Sequence, residues 1–174
     1  MEYVVLVDQQ NNVIGTAPKE TVHTHVTPLH RGFSCFVFND KKEVLITKRS
    51  ERKKTFPGVW TNTVCGHPAE GESVVAAARR RMQDELGLVI QDLREVSPYQ
   101  YRFEDRNGIV ENEICPILIG YTNDNPNPKE QEVEEWKWMK WTDFLEDITV
   151  HPEAYSPWSR EEAVILQRIN PELQ

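Results

Sequence analysis

The sequence predicts an α/β (α+β) fold, a mixed β-sheet packed between helices, with residues 1–174 forming a single domain. Three observations lead there. Short apolar or alternating runs recur as strands do, one amphipathic stretch is bounded by helix start and stop residues, and a second helical pattern lies near the end. At 174 residues the chain is long enough to bury a core without disulfides.

Taken in order, strands are expected at about 3–8, 33–38, 43–48, 59–65, 109–121 and 133–141. Asn39-Asp40-Lys41-Lys42 reads as a hairpin turn and Asn123-Asp124-Asn125-Pro126-Asn127-Pro128 as a surface loop. Ser73 to Leu86 reads as a helix, capped by Ser73 and ended by Gly87 where a left-handed residue is wanted. Val75, Ala78, Met82 and Leu86 form a stripe at helical spacing that faces a core. Arg81 and Glu85 lie four residues apart on another side, next to Asp84. A second helix is expected from Ser159 to Arg168, with Trp158 in the turn before it. Trp136, Trp138 and Trp141 alternate, or nearly so, and read as packing residues of an amphipathic strand.

Composition narrows the function classes. Hydrophobic residues at 39% and charged residues at 28% suit a soluble globular protein, and no run approaches the ~18 apolar residues of a membrane span. The N-terminus has no basic start or cleavage site, so the expected location is the cytoplasm. Three cysteines without scaffold spacing read as reduced thiols. A net charge of −8 argues against nonspecific nucleic-acid binding. The basic run Lys48, Arg49, Arg52, Lys53 and Lys54 can still supply a local field for a small anion, although its bland reading is a solvated hairpin edge.

From Gly66 the chain reads Gly-x5-Glu-x7-Arg-Arg-x-x-Asp-Glu-x-Gly-Leu, which places Gly66, Glu72, Arg80, Glu85, Gly87 and Leu88 at the spacing of the Nudix box. Arg81 and Asp84 stand where that pattern has glutamates. The reading is a diphosphate grip retained and a water-activating carboxylate set damaged, with Cys65 and His67 placed beside it. Of five histidines, His23 and His30 lie in a segment without strand or helix pattern and His67 follows the box glycine. Imidazoles with carboxylates suit a first-row divalent ion. Glu111 and Glu113 would share a strand face, where a cation could join two carboxylates that otherwise repel. The bland alternative is a solvated strand face. Cys35 and Cys115 read as buried apolar residues, whereas Cys65 stands at the lip of the expected site, where nearby cations would lower its pKa towards neutrality.

Together, His23-x6-His30, Pro57 to Pro68 with its Cys65-Gly66-His67, the altered Nudix box, Tyr101, Val110-Glu111-Asn112-Glu113-x-Cys115-Pro116 and Ser156-Pro157-Trp158 resemble the type 1 isopentenyl-diphosphate isomerases. These are Nudix-fold enzymes of isoprenoid biosynthesis. The resemblance spans about residues 19–158. It implies one divalent ion, manganese, zinc or magnesium, on His23, His30, His67, Glu111 and Glu113. It implies a second ion, Mg2+, arriving with the substrate diphosphate and held through Glu85. Diphosphate contacts fall on Lys19, Arg49, Lys53 and Arg81; His25 has no counterpart role. The implied reaction interconverts isopentenyl and dimethylallyl diphosphate through a tertiary carbocation. Glu113, assisted by Tyr101, is expected to give a proton and Cys65 to remove one, with Trp158 over the cation. The expected partner is this small molecule, with neither nucleic acid nor membrane, and the expected state is a monomer. The alternatives are a Nudix pyrophosphohydrolase, which needs the carboxylate that Arg81 replaces, and an inactive metal-binding module.

Overall fold

The computed structural model describes residues 2–173; Met1 and Gln174, the ends of the expected unit, lie outside the described residues. The chain opens with the hairpin β1 (Tyr3–Val7) and β2 (Val13–Pro18), then a one-turn helix α1 (Lys19–Val22) and a short strand β3 (His30–Arg31). Strands β4 (Phe33–Phe38), β5 (Glu43–Arg49), β6 (Trp60–Thr61) and β7 (Val64–Gly66) lead into helix α2 (Val74–Leu86). After it come β8 (Arg94–Ser97), β9 (Gln100–Glu104), β10 (Val110–Ile114), β11 (Ile117–Tyr121) and β12 (Val133–Lys140). Helices α3 (Trp141–Val150) and α4 (Pro157–Ile169) close the fold.

The expected mixed sheet is divided in two. Five strands run in the order β2-β1-β3-β10-β9, and a seven-stranded sheet has the path β12-β5-β4-β11-β8 with β6 on β5 and β7 on β4. The division happens inside what the sequence suggested was one strand, 109–121. Strand β10 pairs parallel with β3, and β11 pairs parallel with β4. Between them lie Cys115-Pro116 on one chain segment and Gly32 on the other, tied by Gly32 N–H to Ile114 O at 2.9 Å and Ser34 N–H to Pro116 O at 3.1 Å. Proline has no N–H to offer a ladder, so the strand leaves one sheet and enters the next at that point. One parallel pair therefore feeds both sheets, and the seam between them lies beside the site.

Helix α2 matches its expected chemistry. The Ser73 hydroxyl accepts from Ala76 N–H at 3.2 Å, and Gly87 takes φ 66°, the left-handed cap. Ala78, Met82 and Leu86 are fully buried against Phe33, Cys35, Val37 and Leu118 on one face of the seven-stranded sheet. The other face packs Phe36, Phe38, Ile117 and Ile119 against Trp141, Phe144 and Leu166 of α3 and α4. A strand buried on both faces reads as a continuous apolar run, as β4 does.

Three boundaries differ from expectation. The run 59–65 breaks at Asn62-Thr63, because Thr63 Oγ1 donates to Leu45 O (2.6 Å) and Asn62 Nδ2 to Cys35 O (3.1 Å), replacing ladder bonds with side-chain bonds. Strand β12 stops at Lys140, and Trp141 opens a helix whose buried residues Trp141, Phe144 and Ile148 keep helical rather than strand spacing. Trp158 lies in the first turn of α4, behind Pro157, which is suited to that position. Strands β2, β8 and β9 were not anticipated, and β9 is the one that positions Tyr101.

Candidate active site and metal centre

His23 follows α1, His30 opens β3, His67 follows β7, and Glu111 and Glu113 project from the same face of β10. Their ligand atoms all lie within 4.8 Å of one another. Residues His30 and Glu113 are direct partners in the parallel β3–β10 pair, so register alone brings them together. His67 Nε2 is 2.9 Å and His30 Nε2 3.4 Å from Glu113 Oε1, and His23 Nε2 is 3.2 Å from Glu111 Oε2. Carboxyl oxygens are also held from outside: Tyr101 donates its hydroxyl to Glu113 Oε2 (3.1 Å) and Thr55 donates to Glu111 Oε1 (2.5 Å).

This donor set fits a divalent cation. His30 Nδ1 lies 2.9 Å from Pro28 O, a pure acceptor, so Nδ1 bears the proton and Nε2 turns a lone pair towards the carboxylates. His23 Nε2, His30 Nε2 and Glu111 Oε2 are buried without a hydrogen-bond partner. Lone pairs gathered in this way repel unless positive charge sits among them. Burial works against the charge on Glu113, yet the His30 and His67 imidazoles that face it outweigh burial and hold the carboxyl well below the usual carboxylate range. Burial lowers His67, whereas His30 is raised because the Glu113 carboxylate more than offsets its burial.

Cys65 stands on β7, in the other sheet. Its thiol donates to Asn62 Oδ1 at 3.2 Å, and Ser34 Oγ lies 3.5 Å from its sulfur. Trp158 Nε1 (3.2 Å) and Thr61 Oγ1 (2.8 Å) donate to the same Asn62 oxygen. The indole stacks on Tyr101 with centroids 5.7 Å apart, and the Arg49 guanidinium lies 5.5 Å from the indole centroid. Burial, then the Glu162 carboxylate, push the Cys65 thiol up to about 12. This corrects the expectation that cations would draw it towards neutrality: Arg49 favours the thiolate, but burial is the larger effect. Glu113 is therefore held towards its ionised form and Cys65 towards its protonated form.

A cavity of about 340 Å³ joins these groups; Cys65, Tyr101, Glu111, Glu113, His23, His67 and Trp158 line it, together with Lys19, Arg49, Lys53 and Arg81. His30 and Glu85 are buried but do not reach the lining. Of the basic run, Arg49, Lys53 and Lys54 line the cavity, whereas Lys48 and Arg52 do not and Arg52 is exposed. Each cation has a partner: Lys19 pairs with Glu2 (2.6 Å), Lys53 with Glu132, and Arg81 with Glu85 as well as with Glu2 at 3.3 Å. Arg49 donates to Thr55 O (2.8 Å) and Phe56 O (3.1 Å), bracing the loop that carries Thr55. Arg81 and Glu85, on another side of α2 from the apolar stripe, are both buried as well. Sequence reasoning gave no role to Ser34, Thr55 or Asn62. Each is one small polar residue among apolar or turn neighbours, a pattern that carries no signal without its partners in space. Cys35 and Cys115 are fully buried, as expected.

The NUDIX domain family model matches residues 28–160. An isopentenyl-diphosphate Delta-isomerase from Saccharopolyspora erythraea is 45% identical over 95% of this chain and 86% of its own length. Others so named, from Kocuria rhizophila and Salmonella arizonae, are 48% and 46% identical over 90% of this chain and 88% and 87% of theirs. Among solved structures, a Deinococcus radiodurans protein superposes with a TM-score of 0.76 at 19% identity, covering 97% of this chain and 99% of that one. A MutT protein from Methanosarcina mazei follows at 0.63 and 22%, covering 83% and 95%. These two likenesses speak for the fold alone. The chain belongs to the isopentenyl-diphosphate Delta-isomerase family of NUDIX-domain proteins.

Proposed function

We propose that this protein interconverts isopentenyl diphosphate and dimethylallyl diphosphate by moving a proton on at one carbon and off at another. The observation that carries this is the placement of Cys65 and Glu113, from separate sheets, on one cavity that also presents cations and aromatic rings. The named relatives support the choice of substrate.

His23, His30, His67, Glu111 and Glu113 would hold one divalent ion, Mn2+, Zn2+ or Mg2+, and Glu85 would hold a Mg2+ that arrives with the diphosphate. A bound ion supplies the positive charge that lets the two buried carboxylates coexist and share the cavity with phosphate. Lys19, Arg49, Lys53 and Arg81 bind the diphosphate, and Glu2 and Glu132 give way to it. Arg81 in place of a carboxylate turns a hydrolytic helix into one that grips phosphate. The five-carbon tail then lies between the two proton-exchanging groups. Glu113, with the Tyr101 hydroxyl on its outer oxygen, exchanges a proton at one carbon, and Cys65 exchanges one at the other. Because the reaction is reversible, each is an acid in one direction and a base in the other. Protonating the alkene leaves a tertiary cation at C3. The Trp158 face stabilises it by ~0.5–2 kcal/mol and has no lone pair to trap it. One chain supplies every group named, so a monomer suffices, and residues 1–174 act as one domain.

Incubation with isopentenyl diphosphate and Mg2+ in D2O tests the reading. The expected result is deuterium in the dimethylallyl product, abolished by thiol alkylation or strong chelation. Phosphate release without isomerised product would instead identify a hydrolase, and metal binding without turnover an inactive module.

A further inference from the structure

One buried aromatic residue beside the site has a left-handed backbone. Phe56 takes φ 45°, which bulky side chains rarely adopt, and it precedes Pro57, which pushes its neighbour towards extended backbone instead. Such a conformation persists only where surrounding contacts over-determine it. Here they grip the residue at both ends: its N–H donates to Asp105 Oδ2 at 3.3 Å, and its carbonyl accepts from Arg49 Nε at 3.1 Å. The side chains held in this way reach two parts of the site. Thr55, the preceding residue, donates to Glu111 Oε1 at 2.5 Å. The Phe56 ring meets the Trp158 indole edge to face, with centroids 5.0 Å apart and planes at 87°.

We propose that Asp105 is a positioning residue for the metal centre and for Trp158, one of its oxygens holding Phe56 left-handed so that the Thr55 hydroxyl stays on Glu111 and the Phe56 ring stays against the indole. Asp105 lies in the turn from β9 to β10, buried while Glu104, Arg106 and Asn107 around it are exposed. Its Oδ1 accepts from Asn107 N–H at 2.8 Å and Ile109 N–H at 2.9 Å, which closes the turn. The turn uses that oxygen alone. The second, Oδ2, crosses to Phe56 in the β5–β6 loop, a contact that the hairpin itself does not need. Without it the buried Phe56 N–H would lose its acceptor, and the backbone would relax towards the extended region that Pro57 favours. That rotation turns Thr55 from Glu111 and the Phe56 ring from Trp158. Arg49 holds only the Thr55 and Phe56 carbonyls, so it does not replace the lost acceptor.

This deepens the isomerase reading and rests on its metal site, though not on its substrate. The test is competition with a chelator for Mn2+ on the full chain, with kcat measured at saturating Mn2+. Asp105→Asn keeps one oxygen for the turn and sets an amide N–H against the Phe56 N–H. It is expected to weaken Mn2+ binding about tenfold and to lower kcat about threefold even at saturating metal. Because Asp105 acts on the metal through Thr55, the Asp105→Asn/Thr55→Val double variant should bind Mn2+ no more weakly than Thr55→Val alone, whereas a general loss of structure would multiply with it. Wild-type Mn2+ affinity in Asp105→Asn overturns the proposal, and so do multiplying losses in the double variant. A wild-type kcat at saturating metal overturns its Trp158 half. If the asparagine variant does not fold, amide hydrogen exchange in the wild-type protein decides. The Phe56 N–H is expected to exchange at least about a hundredfold more slowly than an unbonded amide, and exchange at the unbonded rate overturns the grip. Wild-type protein that binds Mn2+ but gives no dimethylallyl product defeats the isomerase reading and leaves the Mn2+ comparison standing.

Discussion

The Glu113 wall and the Cys65 wall share one cavity, and they handle the loss of water in opposite ways. Around Glu113 and Glu111 the protein gathers three imidazoles, a phenol and the Thr55 hydroxyl. The hydrogen-bond partners of Cys65 are neutral, the Asn62 amide and the Ser34 hydroxyl. Burial alone would favour the neutral acid on both sides. On the first wall hydrogen bonds from histidine overcome it and the carboxylate stays ionised; on the second, burial prevails and the thiol keeps its proton up to about 12. Two groups of opposite resting state facing one small molecule suit a reaction that adds one proton and removes another.

The strongest way to break this comparison is to remove either exchanging group. Cys65→Ala and Glu113→Gln are each expected to lower kcat by about 10²–10⁴-fold in a product assay, the usual contribution of a positioned acid or base. Comparable kcat for these and for Trp158→Phe would show that proton placement is not what the two walls are for. A subtler intervention strikes one wall from behind. A Cβ at Gly32 would come within 1.9 Å of Glu113 Oε2, which its partners pin in place. Gly32→Ala is therefore expected to lower metal affinity and kcat together, by about tenfold or more, while the alkylation rate of Cys65 stays at the wild-type value. If both walls respond, they are not independent. Thr55→Val removes the outer hydroxyl on Glu111 and should weaken metal binding about 10–100-fold by competition with a chelator. The smallest effect is expected for Trp158→Phe. A ring remains, so the loss in kcat should stay within about one to two decades, the most that a cation–π contact supplies.

Legibility of the fold followed the range of the interactions involved. Helix α2 could be read nearly residue by residue, because Ser73, Gly87 and the Ala78–Met82–Leu86 stripe act over one or two turns. The same-face placement of Glu111 and Glu113 was readable from strand alternation, which is also local. The division of 109–121 between two sheets was not. Pro116 hinted at an interruption, but only the partners β3 and β4 decide that the halves belong to different sheets. Trp141 misled for a related reason: a residue three places after Trp138 suits a strand end as well as a helix start, and the aromatic cluster around it makes the choice.

The site divides along the same line. The five residues that cluster as possible metal ligands, and the proposed proton pair, could be singled out in the sequence because the proposed chemistry demands side chains that little else can replace, and those stand in recognisable blocks. What tertiary structure alone decided was their state and support. The protonation of Cys65 and Glu113 depends on how deeply each is buried and on which charges surround it, quantities that no spacing encodes. Ser34, Thr55 and Asn62 acquire meaning only from partners that folding brings in from distant segments, since a hydrogen bond is a relation between two places in space and a chain read in order shows one place at a time.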